Sequence, residues 1–481
     1  MNKNLDKKSS MDSQLGGKGG IHRLKIIVAG ASGFIGRALG KSLAETFHLI
    51  GLSRAAIAPG GGYTEYRCAD LFSLRNSEEA LAGADVAIYL VHSMMPAARL
   101  VQGHFRDLDI LCADNFARAA ASNGVKHIIY VGGLLPDAVE LSEHLESRLE
   151  VEKTLGATGI PVTTIRAGMV VGAGGSSYQL LARLVRRLPI MACPKWTRTR
   201  MQPIALDDLI GAIECVLQTK PTESRVYDVG CPQTVTYQEL MAATAKSLNL
   251  SRTFVAVPFL SPRLSQLWLT LVTRAPKALV GPLIQSLEHE MVARTDPRYR
   301  FDNRAAITVD EMLDKAADPD AATSRIPRAF RQTTNIDSES KVFSVQRMAL
   351  PAGKNATWAA TAYFRWLPHA LKSFIRIEEH NGSKELSFVF RLTGQKLLGL
   401  ERLDDRSDDK RQVLRVTPGL LARASNRGRL EFRQVLDGNS IIASIQDFVP
   451  RLPWWVYRAT QGLFHRWVMY RFSRHLQAHR E

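Results

Sequence analysis

The chain shows two successive patterns of apolar and polar positions, and the first alternates between short apolar runs and amphipathic stretches. The apolar runs lie at residues 26–28, 47–52, 63–68, 85–92, 126–133 and 162–166. Between them, apolar positions recur at helical spacing around residues 37–46, 77–81, 102–123 and 146–155. Strands that alternate with helices at these lengths predict right-handed βαβ units and a parallel, doubly wound sheet of the α/β class.

The second pattern begins near residue 341, where strand-like segments follow one another closely. They lie at residues 342–349, 385–392, 397–402, 412–416, 429–435 and 441–448. Segments at this spacing are typical of an antiparallel meander, and one long apolar helix is predicted after them at residues 453–477. The sequence therefore predicts a second domain of the α+β class, in which a terminal helix accompanies an antiparallel sheet.

The domain boundaries follow from these two patterns. We expect a disordered tail at residues 1–21, an α/β domain with a small substrate lobe at 22–304, a linker with one short helix at 305–340, and the α+β domain at 341–481. A capping box, Thr236-x-x-Glu239, is predicted to begin a helix of the lobe. Prolines break the run at residues 259–291 into short helices, which we expect to cover the substrate pocket.

Three glycines, Gly30, Gly33 and Gly36, separate the first apolar run from the first amphipathic helix. Gly30 allows a sharp turn, Gly33 lets the backbone approach a pyrophosphate, and Gly36 lets the helix pack tightly on the strand. Phosphates would then sit at the helix N-terminus, where unpaired N–H groups and the helix dipole favour anions. The strand–turn–helix context predicts a dinucleotide site, with a purely structural turn as the alternative. The residues assigned to it are Gly30, Ser32, Gly33, Phe34, Ile35, Gly36 and Arg37.

Arg54 follows the second apolar run, about where such a fold meets the adenosine ribose. An arginine there can pair with the extra phosphate of NADP, whereas a carboxylate would bind the free 2′-hydroxyl of NAD. The sequence therefore favours NADP as the cofactor, with NAD and a solvated Arg54 as the alternatives. Ligands bind outside the carboxyl ends of parallel strands, so the residues that close the third and fourth strands are assigned to the same site. They are Asp70, Leu71, Leu90, Val91 and His92, and a packing role is an equal alternative for His92.

Five segments together carry a family resemblance. They are Gly30-Ala-Ser-Gly-Phe-Ile-Gly36, Tyr89-Leu-Val-His-Ser-Met94, His144-Leu-Glu-Ser-Arg-Leu-Glu-Val-Glu152, Arg166-Ala-Gly-Met169 and Met201-Gln-Pro-Ile-Ala-Leu-Asp-Asp208. In these residues the chain resembles an atypical, NmrA-like member of the short-chain dehydrogenase/reductase superfamily, over about residues 22–295. The resemblance implies an NAD(P)-binding Rossmann fold and adds Gly132, Arg148 and Gly168 to the cofactor residues. The last third resembles a START-like, helix-grip domain of the polyketide-cyclase type, whose helix encloses an apolar cavity.

The catalytic positions depart from the pattern of the active members of that superfamily. Those members end the fifth strand with a serine and place Tyr-x-x-x-Lys on the next helix, where the tyrosine moves the proton. Here the serine position has Gly132-Gly133, the tyrosine position has His144 and the lysine position has Arg148. Arg148 cannot readily deprotonate, so it is predicted to bind the nicotinamide ribose. His144 has the acid–base range to replace the tyrosine, with a surface or capping role as the favoured alternative.

Charge and cysteine content narrow the expected partners. The chain has 481 residues, of which 45% are hydrophobic and 23% charged, and its net charge of +17 favours anionic partners. We find no nucleic-acid-binding motif. The five cysteines are widely spaced, odd in number and without a C-x-x-C pair, which argues against a disulfide framework and a zinc site. Neither a signal peptide nor an apolar run of the ~20 residues that span a bilayer is evident, so we expect a cytoplasmic protein.

The predicted terminal helix is the candidate segment for contact with a membrane surface. It combines many aromatic residues with an excess of arginines: Arg451, Arg458, Arg466, Arg471, Arg474 and Arg480. Such a segment can bind anionic lipid heads, here at the inner face of a membrane. The favoured alternative is a helix packed on its own sheet with its arginines extended into water.

Taken together, the residues and the resemblance predict an NAD(P)-dependent oxidoreductase that acts on an apolar, quinone- or isoprenoid-like molecule. The missing serine and tyrosine keep a second function open. In that alternative the chain is a non-catalytic NAD(P)-binding redox sensor, or an assembly or regulatory factor of a membrane-associated complex.

Overall fold

The computed structural model describes residues 23–92, 100–137, 140–257, 286–294, 305–318, 342–371, 374–379, 385–425 and 427–478. The predicted tail, most of the proline-broken run and most of the predicted linker lie outside the described residues. The first elements in chain order are β1 (Lys25–Ala29), α1 (Phe34–Leu43), β2 (His48–Ser53), β3 (Glu65–Cys68), α2 (Leu74–Ala80), β4 (Val86–Tyr89), β5 (Leu100–Gln102), α3 (Phe105–Ser122), β6 (His127–Gly133), α4 (Glu143–Gly156) and β7 (Val162–Ala167), and all of these strands except β5 belong to the first sheet.

The first sheet has seven parallel strands, which confirms the predicted doubly wound α/β fold. Its strand order is β3-β2-β1-β4-β6-β7 followed by β12 (Arg225–Val229). β1 is an interior strand, the third from the β3 edge, with Ile27 opposite Ile50 of β2 on one side and Ala87 of β4 on the other. Strands β1, β2 and β3 are added towards one edge of the sheet, and β4, β6 and β7 are added towards the other, so the strand order reverses between β1 and β4. In open sheets of this kind the crevice for a ligand lies at that reversal, outside the carboxyl ends of the strands.

β1 is apolar at almost every position because helices cover both faces of its sheet. Ile27 and Ala29 pack into one core with α2 and α3, whereas Ile26 and Val28 pack into the other with α1. All four side chains are fully buried. Successive side chains of a strand point to opposite faces, so a strand buried on both faces loses the polar alternation of an exposed one.

A small lobe follows the main sheet and has its own apolar cores. Its elements are β8 (Val170–Val171), α5 (Ser176–Arg187), β9 (Ile190–Cys193), β10 (Arg200–Met201), β11 (Ile204–Ala205), β13 (Val235–Thr236), α7 (Tyr237–Ser247), β14 (Thr253–Ala256) and α8 (Val309–Ala317). Helix α6 (Leu206–Leu217) lies between β11 and β12 in the chain and packs with α1 on the main sheet. The predicted capping box begins α7: Glu239 N donates to Thr236 Oγ1 at 3.1 Å, and Thr236 N donates to Glu239 Oε2 at 2.7 Å.

Helix α8 is the short helix expected at the start of the predicted linker. Its apolar side, including Met312 and Leu313, packs against Met201 and Leu240 of the lobe. The helix therefore belongs to the packed lobe and not to a free connection, because its apolar stripe needs a partner surface. The domain boundaries as drawn from the sequence stay a prediction.

The second sheet is antiparallel and occupies the last third of the chain, as predicted. Its elements are β15 (Val342–Ala349), α9 (Ala356–Ala370), β16 (Ile375–Glu379), β17 (Glu385–Phe390), β18 (Lys396–Arg402), β19 (Arg411–Thr417), β20 (Arg429–Val435), β21 (Ser440–Phe448), α10 (Trp454–Ala459) and α11 (Gln461–Gln477). Strands β16 to β21 form a meander, and β15 pairs with β21. Helices α9 and α11 lie on one face, where the Tyr363 and Phe472 rings meet with centroids 5.0 Å apart.

Three features of the second sheet differ from the sequence prediction. Strand β16 and helix α9 were not predicted, and the single terminal helix is two helices that meet at Thr460. Thr460 has φ −124° and ψ −82°, and its Oγ1 donates to Val456 O at 2.7 Å. These dihedral angles lie outside the helical range, so the helix is interrupted at this residue. In the described part of the chain, no helix combines the length and apolarity needed to cross a bilayer.

Strand β5 joins the two halves of the molecule. It comes from the first third of the chain, between β4 and α3, yet it pairs in parallel with β15 as the eighth strand of the second sheet. Helix α3 then packs on the sheet face opposite α9 and α11, with Leu108 and Leu111 against Val345 and Ile442. One helix thus lies between both sheets, which the sequence did not predict.

Candidate functional site

The glycine turn has the geometry that its sequence predicts. Gly30 has φ +90°, a conformation that side chains with a Cβ rarely adopt, and Gly33 N donates to Gly30 O at 2.9 Å. A Cβ on Gly36 would lie 2.3 Å from Gly30 O, so only glycine permits this approach of α1 to the turn. Helix α1 begins at Phe34, after Gly33 as its N-cap. The N–H groups of its first turn are the donors that a phosphate can accept from.

A cleft of about 290 Å³ lies beside this turn, at the carboxyl ends of β1, β2 and β4. Nine of the sequence-assigned cofactor residues line it: Gly30, Ser32, Gly33, Arg54, Asp70, Leu71, Leu90, Val91 and His92. The structure therefore brings together residues from four separate strand ends. Phe72 and Cys112 also line the cleft and were not assigned from the sequence.

The end of the cleft that the sequence predicts to meet the ribose is formed by the residues that follow β2 and β3. Arg54 comes directly after Ser53, the last residue of β2, and Asp70 accepts a hydrogen bond from Phe72 N at 3.1 Å. Burial raises the pKa of the Asp70 carboxyl, and the nearby Arg54 guanidinium opposes that rise. The second sheet reaches this edge too, since Arg429 Nη2 donates to Ser73 Oγ at 3.2 Å.

Several assigned residues lie outside the lining of this cleft. Phe34 and Arg37 border a separate pocket of about 270 Å³, and Arg37 Nη1 donates back to Ser32 O at 2.6 Å. Ile35 packs on the core of the main sheet. A Cβ on Gly132 would lie 3.0 Å from the Tyr130 ring, and one on Gly168 would lie 2.1 Å from Gln202 O. Protein packing by itself explains why glycine stands at position 168, so its cofactor role stays a prediction.

A buried aspartate that the sequence did not single out organises the far end of the cleft. Asp109 of α3 is 1% exposed, and its Oδ2 lies 2.9 Å from His92 Nδ1 and 3.3 Å from Arg148 Nη2. Ser147 Oγ donates to the same carboxylate oxygen at 3.2 Å, and Arg148 Nη2 also contacts His92 Nδ1. No local pattern marks Asp109, because along the chain it lies 17 residues from His92 and 38 from Ser147.

The two candidate catalytic residues both lie at this cluster: Arg148 pairs with Asp109, and the His144 ring lies beside the His92 ring. Burial lowers the pKa of Arg148 to about 10, which still leaves its guanidinium charged at neutral pH. Burial also lowers the pKa of His144, although Asp109 opposes this, so its imidazole is neutral at pH 7. The rings of His92 and His144 have centroids 5.4 Å apart. Among the described residues, His92 Nε2 and His144 Nδ1 are buried without a hydrogen-bond partner.

These contacts define what the far end can do chemically. The Asp109 carboxylate balances the charge of Arg148 and lies within hydrogen-bond distance of His92 Nδ1, so it holds the His92 ring in place. Two imidazole nitrogens are then left for a bound group. The cluster is therefore suited to hold and orient a polar atom, but it contains no hydroxyl acid of the tyrosine kind at position 144.

Comparison with known proteins gives a distant set of relatives, and no protein-family model matches the chain. Over 146 residues the chain is 31% identical to "Auxiliary protein GraX" of Staphylococcus aureus (strain NCTC 8325 / PS 47). The match covers 29% of this chain and 43% of that protein, so the chain spans less than half the length of that relative.

Solved structures resemble the chain over about 60% of its length, which is similar to the length of its α/β part. A nucleoside-diphosphate-sugar epimerase from Staphylococcus aureus matches with a TM-score of 0.50 at 17% identity, over 60% of this chain and 100% of that one. An NADPH-dependent quinone oxidoreductase from Escherichia coli, solved with NADPH, matches with a TM-score of 0.48 at 20% identity, over 60% and 98%. At such identities the likeness to the epimerase is one of fold alone, and the chain has a doubly wound, Rossmann-like α/β fold.

Proposed function

We propose that this protein is an NADP-dependent oxidoreductase whose substrate is an apolar, conjugated acceptor of the quinone or enone class. The observation that carries the proposal is the cleft beside the glycine turn, which gathers Arg54 and His92 at its two ends. A bound nicotinamide supplies a hydride. The isoprenoid-like substrates predicted from the sequence belong to the same apolar class when they carry such an acceptor group.

The preference for NADP rests on Arg54. It follows β2, where a carboxylate would favour the free 2′-hydroxyl of NAD, and its charge can pair with a 2′-phosphate. Asp70 follows β3 instead, one strand further from the turn. The first-turn N–H groups of α1 would hold the pyrophosphate, and the absence of a Cβ at Gly36 keeps that helix end close to the turn.

The preference for a conjugated acceptor rests on the proton that reduction requires. A simple ketone becomes a strongly basic alkoxide, so its reduction needs a positioned acid. His144 is neutral at pH 7 and Arg148 is charged and paired with Asp109, so neither is a good proton donor. A reduced quinone is a phenolate whose conjugate acid has a pKa near that of tyrosine, about 10, and water can protonate it. His92 and His144 would orient the acceptor oxygen.

Oxidation of NADPH in a stopped-flow spectrophotometer tests the function. We expect turnover with quinones and enones but not with simple ketones of similar size, and slower turnover in His144→Ala. NADPH that binds tightly but is never oxidised by any member of this panel would contradict the oxidoreductase assignment.

The cofactor preference is tested separately by binding. Arg54→Ala should weaken NADPH affinity at least about tenfold, the effect of losing ~1.4 kcal/mol, and leave NADH affinity nearly unchanged. Arg75→Ala is a matched control, because Arg75 is exposed and pairs with Glu79 within α2. An unchanged ratio of NADPH to NADH affinity in Arg54→Ala would show that NADP is the wrong cofactor.

A second candidate function is a non-catalytic, NAD(P)-binding sensor or assembly factor. It is favoured by the same cluster, since Arg148 is held in a buried ion pair at the position of the family's lysine, and by the relative that is named an auxiliary protein. Such a protein would bind NADPH in the same cleft and show no oxidation with any acceptor of the panel. The kinetic experiment above therefore separates the two functions.

A further inference from the structure

The turn at residues 70–73, between β3 and α2, forms part of the wall of the cleft beside the glycine turn. Asp70, Leu71 and Phe72 line the cleft, and Ser73 is the N-cap of α2. Ser73 N donates to Asp70 O at 2.9 Å, which closes the chain into a turn. The position of the 70–73 turn therefore sets the shape of the cleft at the end that the sequence predicts to meet the ribose.

An arginine of the second sheet holds the end of this turn. Arg429 of β20 donates through Nη2 to Ser73 Oγ at 3.2 Å, although 356 residues separate the two in the chain. Gln446 of β21 orients the guanidinium, because its Oε1 accepts from Arg429 Nη2 at 2.7 Å and from Nε at 3.0 Å. Burial raises the pKa of the Asp70 carboxyl, and the charges of Arg54 and Arg429 oppose that rise. Arg429 therefore supports the turn by a hydrogen bond and by its charge.

Two further contacts from the second sheet reach the middle of the turn. Phe343 of β15 packs on Phe72, with ring centroids 5.6 Å apart. Arg433 Nη1 donates to Asn115 Oδ1 at 2.6 Å, and Asn115 Nδ2 donates to Leu71 O at 2.8 Å. Both Arg433 and Asn115 are fully buried, where hydrogen bonds are electrostatically stronger than in water. Three consecutive residues of the turn are therefore held by the second sheet, either directly or through one side chain of α3.

We propose that Arg429, Phe343 and Arg433 are positioning residues of the nucleotide site, which hold the 70–73 turn in the geometry that accepts the adenosine end of NADP. The proposal deepens the proposed function, because it rests on the same cofactor, but it does not rest on hydride transfer. A turn that is ordered before the nucleotide arrives does not lose that freedom on binding, so the nucleotide binds more tightly. The second sheet is therefore required for full nucleotide affinity, although none of the three side chains lines the cleft.

Binding of NADPH and of ADP to the full-length protein tests this role, since ADP carries the adenosine end that NADPH and NADH share. Arg429→Met removes the charge and the hydrogen bond to Ser73 but keeps a long side chain. In fluorescence titration with NADPH and calorimetry with ADP, it should weaken both nucleotides about tenfold, the effect of losing ~1.4 kcal/mol. Arg429→Lys should restore most of the lost affinity, because an ammonium group can also donate to Ser73 Oγ.

Two further variants separate these contacts from general effects on the second sheet. Phe343→Leu keeps an apolar side chain but loses the ring contact with Phe72, so it should weaken both nucleotides about threefold. Arg415→Met is the matched control, because Arg415 lies opposite Arg429 on β19 and forms a partly exposed ion pair with Glu401. It should change neither affinity.

Hydrogen exchange measures the turn itself. In Arg429→Met without nucleotide, the amides of residues 70–73 should exchange faster than in the wild type, because the turn opens locally. The amides of β1 should keep their wild-type rates, which distinguishes a loosened turn from a destabilised sheet.

Wild-type affinity for both nucleotides in Arg429→Met, equal losses in Arg429→Met and Arg415→Met, or faster exchange in β1 as well as in the turn would overturn the positioning role. A wild type that binds neither nucleotide would overturn it together with the proposed cofactor. NADPH binding that follows the expected pattern without any oxidation of NADPH would support the positioning role and contradict only the proposed hydride transfer.

Discussion

Gly36 shows how strongly the glycine turn constrains one residue. The atoms that a Cβ would meet there all belong to the backbone of Gly30 and Ala31, so no side-chain movement can relieve the contact. Tyr63 supports the same point from the other side, because its hydroxyl donates to Gly36 O at 2.6 Å. The first turn of α1 is therefore held in close backbone contact with the glycine turn.

Gly36→Ala should accordingly weaken NADPH binding at least about tenfold and lower the free energy of unfolding by about 1–3 kcal/mol, the usual cost of overpacking. Fluorescence titration with NADPH and urea unfolding measure the two effects. Gly156→Ala is the control, because a Cβ at the end of α4 meets nothing within 4 Å. Wild-type affinity in Gly36→Ala would mean that the turn does not form the cofactor site.

His127 gives the molecule a pH-dependent stability. It is 3% exposed, lies 2.8 Å from Thr163 Oγ1 through Nε2, and burial lowers its pKa to about 4. The unfolded chain, with a histidine pKa near 6.5, binds more protons between pH 6.5 and 4. Stability therefore falls as the pH falls through this window and is not affected by His127 above it.

Replacing the imidazole should remove this loss. Between pH 7.5 and 4.5, urea unfolding of His127→Gln should show about 2 kcal/mol less destabilisation than the wild type, from a shift of about two pKa units over that range. His104→Gln, at an exposed residue, serves as the control and should follow the wild type. Identical pH profiles for all three proteins would mean that His127 is not the group that titrates.

At the scale of elements, α11 carries two apolar faces. Val468, Met469 and Phe472 are buried against the second sheet, which is the packing that the sequence favoured. Other large side chains of α10 and α11 are nevertheless exposed, namely Trp455, Leu463, Phe464, Trp467 and Tyr470. Arg471 lies over the Trp467 ring at 5.8 Å. Exposed aromatics beside arginines are typical of a helix at a membrane surface.

Membrane contact through this face therefore stays a prediction with a direct test. Trp455→Ser/Trp467→Ser should reduce co-sedimentation with vesicles of 30% phosphatidylserine at least about threefold, since a few tenths to 1 kcal/mol is lost for each exposed apolar group. Added salt should weaken wild-type binding, because the arginine contribution is screened. Ile190→Ser, at a 63% exposed residue of β9 in the small lobe, is the control. Equal binding by all three proteins would remove the membrane prediction.

Elements were predictable from sequence where their pattern was local. β1, β20 and β21 were predicted because their apolar periodicity or burial on both faces is visible within a few residues. β5 was missed because three residues carry no period, and α9 was missed because Pro368 interrupts its helical pattern. The break at Thr460 was also not predicted, because a change of backbone dihedral angles at a single residue leaves no mark in the hydropathy pattern.

At the scale of the whole molecule, a buried charge network joins the two sheets. Arg433 of β20 donates through Nη1 to Asp114 Oδ2 and to Asn115 Oδ1 of α3, each at 2.6 Å. Its Nε donates to Glu431 Oε1 at 2.7 Å, and Arg411 Nε donates to the same oxygen at 2.6 Å. Although burial opposes it, Arg433 and Arg411 lower the pKa of the Glu431 carboxyl. The network therefore keeps its charges balanced inside the interface.

Removing its central cation should be costly. Arg433→Ala leaves Glu431 and Asp114 buried with less compensation, so we expect a loss of about 3–5 kcal/mol in the free energy of unfolding. Arg402→Ala, which breaks an exposed pair with Asp404, should cost less than about 1 kcal/mol. Urea unfolding of the full chain measures both, and equal losses would mean that the network does not stabilise the interface.

The sequence by itself determined the βαβ order, the glycine turn and the strand ends that carry Arg54 and His92. These depend on periodicity and on backbone conformations that only glycine adopts, both of which are local properties. Tertiary structure decided which surfaces meet: Asp109 with Arg148, β5 with β15, and Arg433 with Asp114, which are 319 residues apart. A hydropathy pattern says that a face is buried, but the partner of that face depends on packing across the whole chain.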